Sequence, residues 1–269
     1  MKLFYANSSL DRAEIVVLGL PYDRTSSFIP GSRFGPVYIR LCTENIEDYS
    51  PYQKESLSQK EICDFGDISF ETRDWEVETK KNLASIGYNK KIIGLGGEHT
   101  VSLPLIRFYK EKFEEITVFV LDAHCDLRDQ YLGEKICHAT VMRRVSELIG
   151  VENLYQFGIR SGTEQEFGFH KHIYKFEVFK PLSAVINTIK TPIYLSIDVD
   201  VLDPGVAPAV ATPCPGGVSY QELVQALLLF RDKEVVGADI VEYNPLAASP
   251  WQSGTLAAEL LRELTLILG

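Results

Sequence analysis

The chain has 269 residues, of which 45% are hydrophobic and 24% are charged, and its formal net charge is −10. This composition is typical of a globular protein that buries one large core. The acidic balance disfavours nucleic acid and membrane surfaces as partners and is compatible with a small cationic substrate. Because the five cysteines form no CxxC pair, and because we find neither a secretory signal nor an apolar run of ~18 residues, we expect a cytoplasmic protein.

Short apolar runs alternate with helical patterns along the chain. The runs predict strands at 14–20, 91–97, 116–124, 153–159, 192–200 and 234–242. The helical patterns lie at 74–87, 100–113, 139–149, 181–190, 219–232 and 253–268. This alternation predicts a parallel sheet with helices on both faces. No repeat or linker divides residues 1–269, so we expect one domain; the polar segment 43–60 is interpreted as a lid, an excursion or an interface.

Polar motifs follow four of the predicted strands. They are "GGEHT" at 96–100, "DAHCD" at 122–126, "DVD" at 198–200 and "EYNP" at 242–245. Since ligands bind outside the carboxyl ends of the strands in open parallel sheets, we expect these motifs to meet in one cleft.

The acids and histidines of these motifs have the spacing of a metal site. Residues i, i+2 and i+4 of an extended segment lie on one face, so Asp122, His124 and Asp126 are expected to converge. The full set adds His99, Asp198 and Asp200, which makes four carboxylates and two imidazoles. Such a set exceeds the needs of one ion and suits two divalent ions a few ångströms apart. Oxygen-rich ligands without a thiolate favour manganese, with iron, cobalt or zinc as alternatives.

Three motifs, "GGEHT", "DAHCDLRD" and "SIDVDVLDP", resemble in order and spacing the signatures of the ureohydrolase superfamily, the arginases and agmatinases. The segment "PYDRTSSFIPGSRFGPVYIR" and the short motifs "FGDI" and "GIRS" are similar to agmatinase segments, so the resemblance runs from about Leu18 to the C-terminus. It implies a three-layer α/β/α fold around an eight-stranded, mostly parallel sheet. It also implies a homotrimer or homohexamer.

The resemblance further implies a centre with two Mn²⁺ ions per chain. One ion would be held by His99, Asp122, Asp126 and Asp198, and the other by His124, Asp122, Asp198 and Asp200. The catalytic residues would be His138, Glu242 and Asp126: Glu242 would bind the guanidinium group, and His138 would shuttle a proton to the leaving amine. Asp126 would act also as a metal ligand.

Segment 127–137, "LRDQYLGEKIC", bears on the substrate. Arginases have an Asn- and Ser/Thr-rich loop at this position that binds the amino acid end of arginine, whereas this segment contains no Asn, Ser or Thr. We therefore expect agmatine to be hydrolysed to putrescine and urea. The alternatives are aminopropylagmatine, guanidinobutyrate or arginine as substrate, a deacetylase-like amidohydrolase with a single zinc, and a non-enzymatic binding protein.

Overall fold

Strands and helices alternate in the computed structural model, which describes residues 2–70 and 74–269. The strands are β1 (Ile15–Leu20), β2 (Tyr49–Ser50), β3 (Glu55–Ser56), β4 (Ile62–Asp67), β5 (Lys91–Gly96), β6 (Thr117–Leu121), β7 (Leu154–Ile159), β8 (Ile173–Lys175), β9 (Ile193–Asp198) and β10 (Val235–Val241). The helices are α1 (Gly35–Cys42), α2 (Trp75–Ile86), α3 (Ser102–Lys112), α4 (Val141–Ile149), α5 (Glu164–Phe167), α6 (Phe179–Val185), α7 (Tyr220–Leu228) and α8 (Pro250–Leu268).

Eight of these strands form one sheet in the order β4-β1-β5-β10-β9-β6-β7-β8. Every neighbouring pair is parallel, as expected for runs that are apolar on both faces. This confirms the predicted eight-stranded fold. β10 lies between β5 and β9, so the ends of β5, β10, β9 and β6 are adjacent at the middle of the carboxyl edge.

The sheet separates two apolar cores. In β1, Ile15 and Val17 belong to one core, whereas Val16 and Leu18 belong to the other. Residues of α1, α6, α7 and α8 pack in the first core and residues of α2, α3 and α4 in the second, which gives the three expected layers. Among the residues that the structure describes, no helix combines the length and the apolar character needed to cross a membrane.

The six predicted strands and six predicted helices are all present, but five further features were not predicted. These are α1, α5, the edge strands β4 and β8, and the β2–β3 hairpin. The hairpin lies in the polar segment 43–60 and packs on α8, where the Ser50 hydroxyl donates to Glu263 Oε2 at 2.8 Å and the Gln53 amide donates to the same oxygen at 2.9 Å. The segment is therefore anchored to the fold.

Candidate active site

Six acid and histidine side chains meet at the carboxyl edge of the sheet. They are His99 after β5; Asp122, His124 and Asp126 after β6; Asp198 at the end of β9; and Asp200 in the turn that follows. Five of them are buried, and His124 is half-buried. The structure therefore brings together all six predicted ligands.

The predicted strands 116–124 and 192–200 run too far at this point, and local turns follow the observed strands. β6 ends before Asp122, and β9 ends at Asp198. The side chains of Asp122 and Asp198 accept hydrogen bonds from the amides two residues later, at 2.6 Å from His124 N and 2.8 Å from Asp200 N. Such local turns also bring alternate side chains together. Asp126 has a φ of 52°, a strained left-handed conformation typical of functional sites.

Five of the six side chains form two overlapping groups, His99–Asp122–Asp126 and Asp122–His124–Asp200, and Asp198 lies beside the first. His99 Nδ1 lies 3.1 Å from Asp122 Oδ2, 3.3 Å from Asp126 Oδ2 and 3.5 Å from Asp198 Oδ2. His124 Nδ1 lies 2.9 Å from Asp200 Oδ2 and 3.8 Å from Asp122 Oδ1. Asp122 is shared by both groups, and within each group the ligand atoms lie within 4.8 Å of one another.

The atoms that face the centre lack hydrogen-bond donors. Asp122 and Asp200 each bind a backbone amide through Oδ1, while Oδ2 of both residues is buried and has no hydrogen-bond partner among the described residues. His99 Nδ1 is likewise buried and has no hydrogen-bond partner among the described residues. Buried acceptors are normally paired, so the set fits cations that would bind these free atoms.

Crowding of the carboxylates shifts their protonation. Burial, together with the charge of Asp200, raises the pKa of Asp122 to about 7. Burial alone would lower the pKa of His124, but the carboxylates of Asp200 and Asp122 outweigh it and raise that pKa to about 10. The centre therefore takes up positive charge, as protons or as metal ions.

Two buried residues behind His99 orient its ring. The Ser196 hydroxyl donates to Asp239 Oδ1 at 2.6 Å, and Tyr194 donates to the other oxygen at 2.7 Å. Ser196 Oγ, 3.0 Å from His99 Nε2, must therefore accept from that nitrogen. In the neutral ring the proton lies on Nε2, and Nδ1 points its lone pair at the acids. Ser196 was not among the predicted site residues, although the period of two along β9 puts it on the face of Asp198.

Glu242 follows β10 and is buried beside the centre. Its Oε1 accepts a hydrogen bond from His99 N at 2.8 Å, and its φ of 63° is a second strained conformation. Burial and the neighbouring carboxylate of Glu98 raise the pKa of Glu242 well above its ordinary value. A cation beside this carboxylate would relieve both effects.

His138 lies at the start of the turn before α4 and is half-buried. Its Nδ1 is 3.3 Å from Thr25 Oγ1, and its Nε2 is 3.2 Å from Ser27 Oγ. The ring of Tyr131 meets it edge-on, with the centroids 5.8 Å apart.

A cavity of about 230 Å³ opens over the centre. It is lined by five of the predicted site residues, His124, Asp126, His138, Asp198 and Glu242, together with residues from the loops around them. The cavity therefore connects the candidate metal ligands with the two candidate catalytic residues outside the metal set.

Arg128 and Glu166 also line this cavity, and neither is among the predicted site residues. Arg128 Nε lies 3.7 Å from Glu166 Oε2, and the guanidinium lies 4.9 Å from the centre of the Tyr131 ring. Segment 127–137 thus contains a cation beside the cavity, although it has none of the Asn, Ser or Thr residues with which arginases bind the amino acid end of arginine. The carboxylate of Glu166 offsets much of that charge.

Comparisons with known proteins agree with this geometry. The model of the Arginase family matches residues 13–267. The agmatinase of Bacillus anthracis is 39% identical over 97% of this chain and 94% of its own length, and the N(1)-aminopropylagmatine ureohydrolase of Thermococcus kodakarensis is 36% identical over 90% and 86%. The structure of the agmatine ureohydrolase of Thermoplasma volcanium matches with a TM-score of 0.89 and 31% identity, covering 99% of this chain and 94% of that one. The chain therefore belongs to the arginase family and is a metal-dependent ureohydrolase similar to agmatinases.

Proposed function

We propose that the protein hydrolyses agmatine to putrescine and urea with two Mn²⁺ ions per chain. The observation that carries this proposal is the pair of ligand groups that share Asp122 beside a cavity lined by Glu242. A single-zinc deacetylase-like site has no use for the second group, and a binding protein has no use for either.

The proposed ligands are those implied by the sequence. His99, Asp122, Asp126 and Asp198 would bind one ion, and His124, Asp122, Asp198 and Asp200 would bind the other. The unpartnered Nδ1 of His99 and the unpartnered Oδ2 atoms of Asp122 and Asp200 support this assignment. Mostly oxygen ligands with two imidazoles suit manganese. Two ions bound there would supply an activated water as nucleophile near neutral pH.

The remaining residues bind and orient the substrate. Glu242 would accept hydrogen bonds from the planar guanidinium, and its amide partner His99 N holds its carboxylate in place. His138 would donate a proton from Nε2 to the amine nitrogen as the bond to the guanidino carbon breaks. Asp126 is included among the catalytic residues because it lines the cavity and contacts His99.

Agmatine is the preferred substrate because the cavity is lined by acids. Agmatine carries two positive charges, and the cavity is lined by the carboxylates of Asp126, Glu166 and Glu242. Arginine would add a carboxylate among these acids. Arg128 also lines the cavity, but its Nε lies 3.7 Å from Glu166 Oε2, so its charge is already offset. The added carboxylate would therefore be poorly paired, and a poorly paired buried charge costs several kcal/mol.

Aminopropylagmatine is the second candidate. A further pocket of about 320 Å³ shares Arg128 and Glu166 with the cavity, so these two residues lie between the two spaces. A longer amine tail could extend into the outer pocket if Arg128 moved aside.

We also propose that residues 1–269 form one domain that acts as a cytoplasmic homotrimer or homohexamer. One continuous sheet and a family match over residues 13–267 support the single domain. Symmetric assembly is common for enzymes of this size.

The test is urea release by Mn²⁺-loaded enzyme from agmatine, aminopropylagmatine, guanidinobutyrate and arginine. We expect kcat/KM for agmatine to exceed that for arginine at least ~100-fold, because each 1.4 kcal/mol is about tenfold. Equal values for agmatine and arginine would contradict the proposed specificity. A higher value for aminopropylagmatine would favour the second candidate.

A further inference from the structure

The segment 21–30, between β1 and α1, contacts the candidate proton shuttle through two hydroxyls, Thr25 Oγ1 at His138 Nδ1 and Ser27 Oγ at His138 Nε2. Thr25 Oγ1 lies 2.5 Å from Glu98 Oε1, 3.3 Å from His138 Nδ1 and 3.2 Å from His138 N. Thr25 and His138 are half-buried, whereas Glu98 has no exposed surface.

The side chain of Glu98 accepts every hydrogen bond it makes among the described residues. The Thr25 amide donates to Oε2 at 2.8 Å, and the hydroxyls of Thr25 and Thr100 donate to Oε1 at 2.5 and 2.6 Å. The carboxylate oxygens therefore act as acceptors in this geometry. Burial raises the pKa of Glu98, and the hydrogen bonds from Thr100 and Thr25 oppose that rise. Among the described residues no Lys or Arg forms an ion pair with it.

These contacts determine where the protons lie in the hydrogen bonds that join Glu98, Thr25 and His138. Thr25 has one hydroxyl proton, which the short contact gives to Glu98. Its two lone pairs are then free for the two His138 donors, the backbone N–H and the Nδ1–H. The neutral ring therefore carries its proton on Nδ1, and Nε2, beside Ser27 on the cavity wall, is the nitrogen with the lone pair.

We propose that Thr25 and Glu98 are positioning residues that hold His138 in the tautomer whose Nε2 exchanges protons with the substrate. This inference rests on the proposed function, in which a proton on Nε2 passes to the leaving amine nitrogen. After that transfer Nε2 regains its lone pair and Nδ1 keeps its proton. While both nitrogens carry protons, the hydrogen-bond chain leads from the charged ring through Thr25 to the carboxylate of Glu98.

The segment has anchors other than the Thr25 hydroxyl, so a variant that lacks this hydroxyl should still fold. Glu98 N donates to Tyr22 O at 2.8 Å. Asp23 accepts from Gly31 N at 2.8 Å and from the Arg33 guanidinium at 3.1 Å. The Thr25 hydroxyl is therefore only one of several contacts that hold this segment in place.

Three variants of this segment separate the proposed role from a structural one. Thr25→Val keeps the shape and removes the hydroxyl, whereas Thr25→Ser keeps the hydroxyl. Ser26→Ala is the matched control, because Ser26 Oγ contacts Glu98 alone, at 3.4 Å. Each is measured as Mn²⁺-loaded enzyme for kcat, KM, metal content and thermal midpoint.

We expect Thr25→Val to lower kcat for agmatine about 10- to 100-fold, less than the ~10²- to 10⁴-fold contribution of a complete general acid. Its KM and metal content should stay close to wild type. Thr25→Ser and Ser26→Ala should keep kcat within about threefold, which is less than 1 kcal/mol. In a His138→Asn background Thr25→Val should cause no further loss, since it acts through that ring.

An unchanged kcat in Thr25→Val, or an equal loss in Thr25→Ser, would overturn the proposal. If the wild type releases no urea from agmatine, the proposed function fails. The positioning of His138 by Thr25 is then tested by a measurement that needs no substrate. Nitrogen NMR of the His138 ring reports the tautomer directly. A proton on Nδ1 in the wild type that is lost or shared with Nε2 in Thr25→Val supports the inference, and a proton on Nε2 in the wild type overturns it.

Discussion

Ser196→Ala should weaken metal binding at the His99 group and leave the His124 group intact. In the wild type Ser196 Oγ is 3.0 Å from His99 Nε2, and its hydroxyl donates a hydrogen bond to Asp239 Oδ1. Without the hydroxyl, the Nε2–H is buried with no acceptor. The ring can avoid this only by moving the proton to Nδ1, which is the nitrogen that faces the acids.

The magnitude follows from the buried donor. Leaving such an N–H unpaired costs about 1–3 kcal/mol, and 1.4 kcal/mol is tenfold in affinity. We therefore expect the Mn²⁺ affinity of the His99 group to fall about 5- to 150-fold, in the range that second-shell changes produce. His124 contacts neither Ser196 nor Asp239, so the other affinity should change less than about twofold, which is below 0.5 kcal/mol.

The assay is calorimetric titration of metal-free protein with Mn²⁺. Tyr194→Phe is the control, because Tyr194 donates to the other oxygen of Asp239 at 2.7 Å. It should lower the thermal midpoint of the metal-free protein without weakening either metal affinity. Two unchanged affinities in Ser196→Ala, or equal weakening in Tyr194→Phe, would refute the orientation that we assign to His99.

Three other predictions concern separate parts of the protein. Glu242→Gln should lower kcat/KM for every guanidine tested, because it removes the charge that orients the shared head group, and a selective loss for one tail would contradict this. Asp200→Ala should remove mainly one ion in elemental analysis, whereas Asp122→Ala should disturb both, since Asp122 belongs to both groups. Burial lowers the pKa of His170 to about 4, so its contribution to stability is present above ~6.5 and is lost as the pH falls towards 4. His170→Gln should therefore gain stability relative to the wild type on acidification, as measured by urea unfolding.

The ligand motifs were visible in the sequence because their members lie close together along the chain. Asp122, His124 and Asp126 are two residues apart, and apolar runs before them place them at strand ends. The predicted strand was nevertheless too long, since β6 ends before Asp122. The Asp122 carboxylate closes a turn by accepting from His124 N, His124 still pairs with Ser161, and Asp126 has a left-handed backbone. Side chains two residues apart still lie close together in this backbone, which is why their convergence was predicted correctly.

Features that depend on distant contacts were not predicted. Thr25 is 73 residues from Glu98 and 113 residues from His138, so no local pattern links them. β4 was missed because its two acids interrupt the apolar run. The Arg40 guanidinium makes the strand possible, as it binds Asp64 at 2.9 Å and Asp67 at 2.5 Å.

The measurement that tests the two-ion centre most directly is a crystal structure of Mn²⁺-loaded protein with anomalous data at the manganese edge. We predict two peaks per chain, one at His99 Nδ1 with Asp126 and one at His124 Nδ1 with Asp200, with Asp122 contacting both. A single peak in fully active crystals, or two peaks elsewhere on the protein, would contradict the central claim.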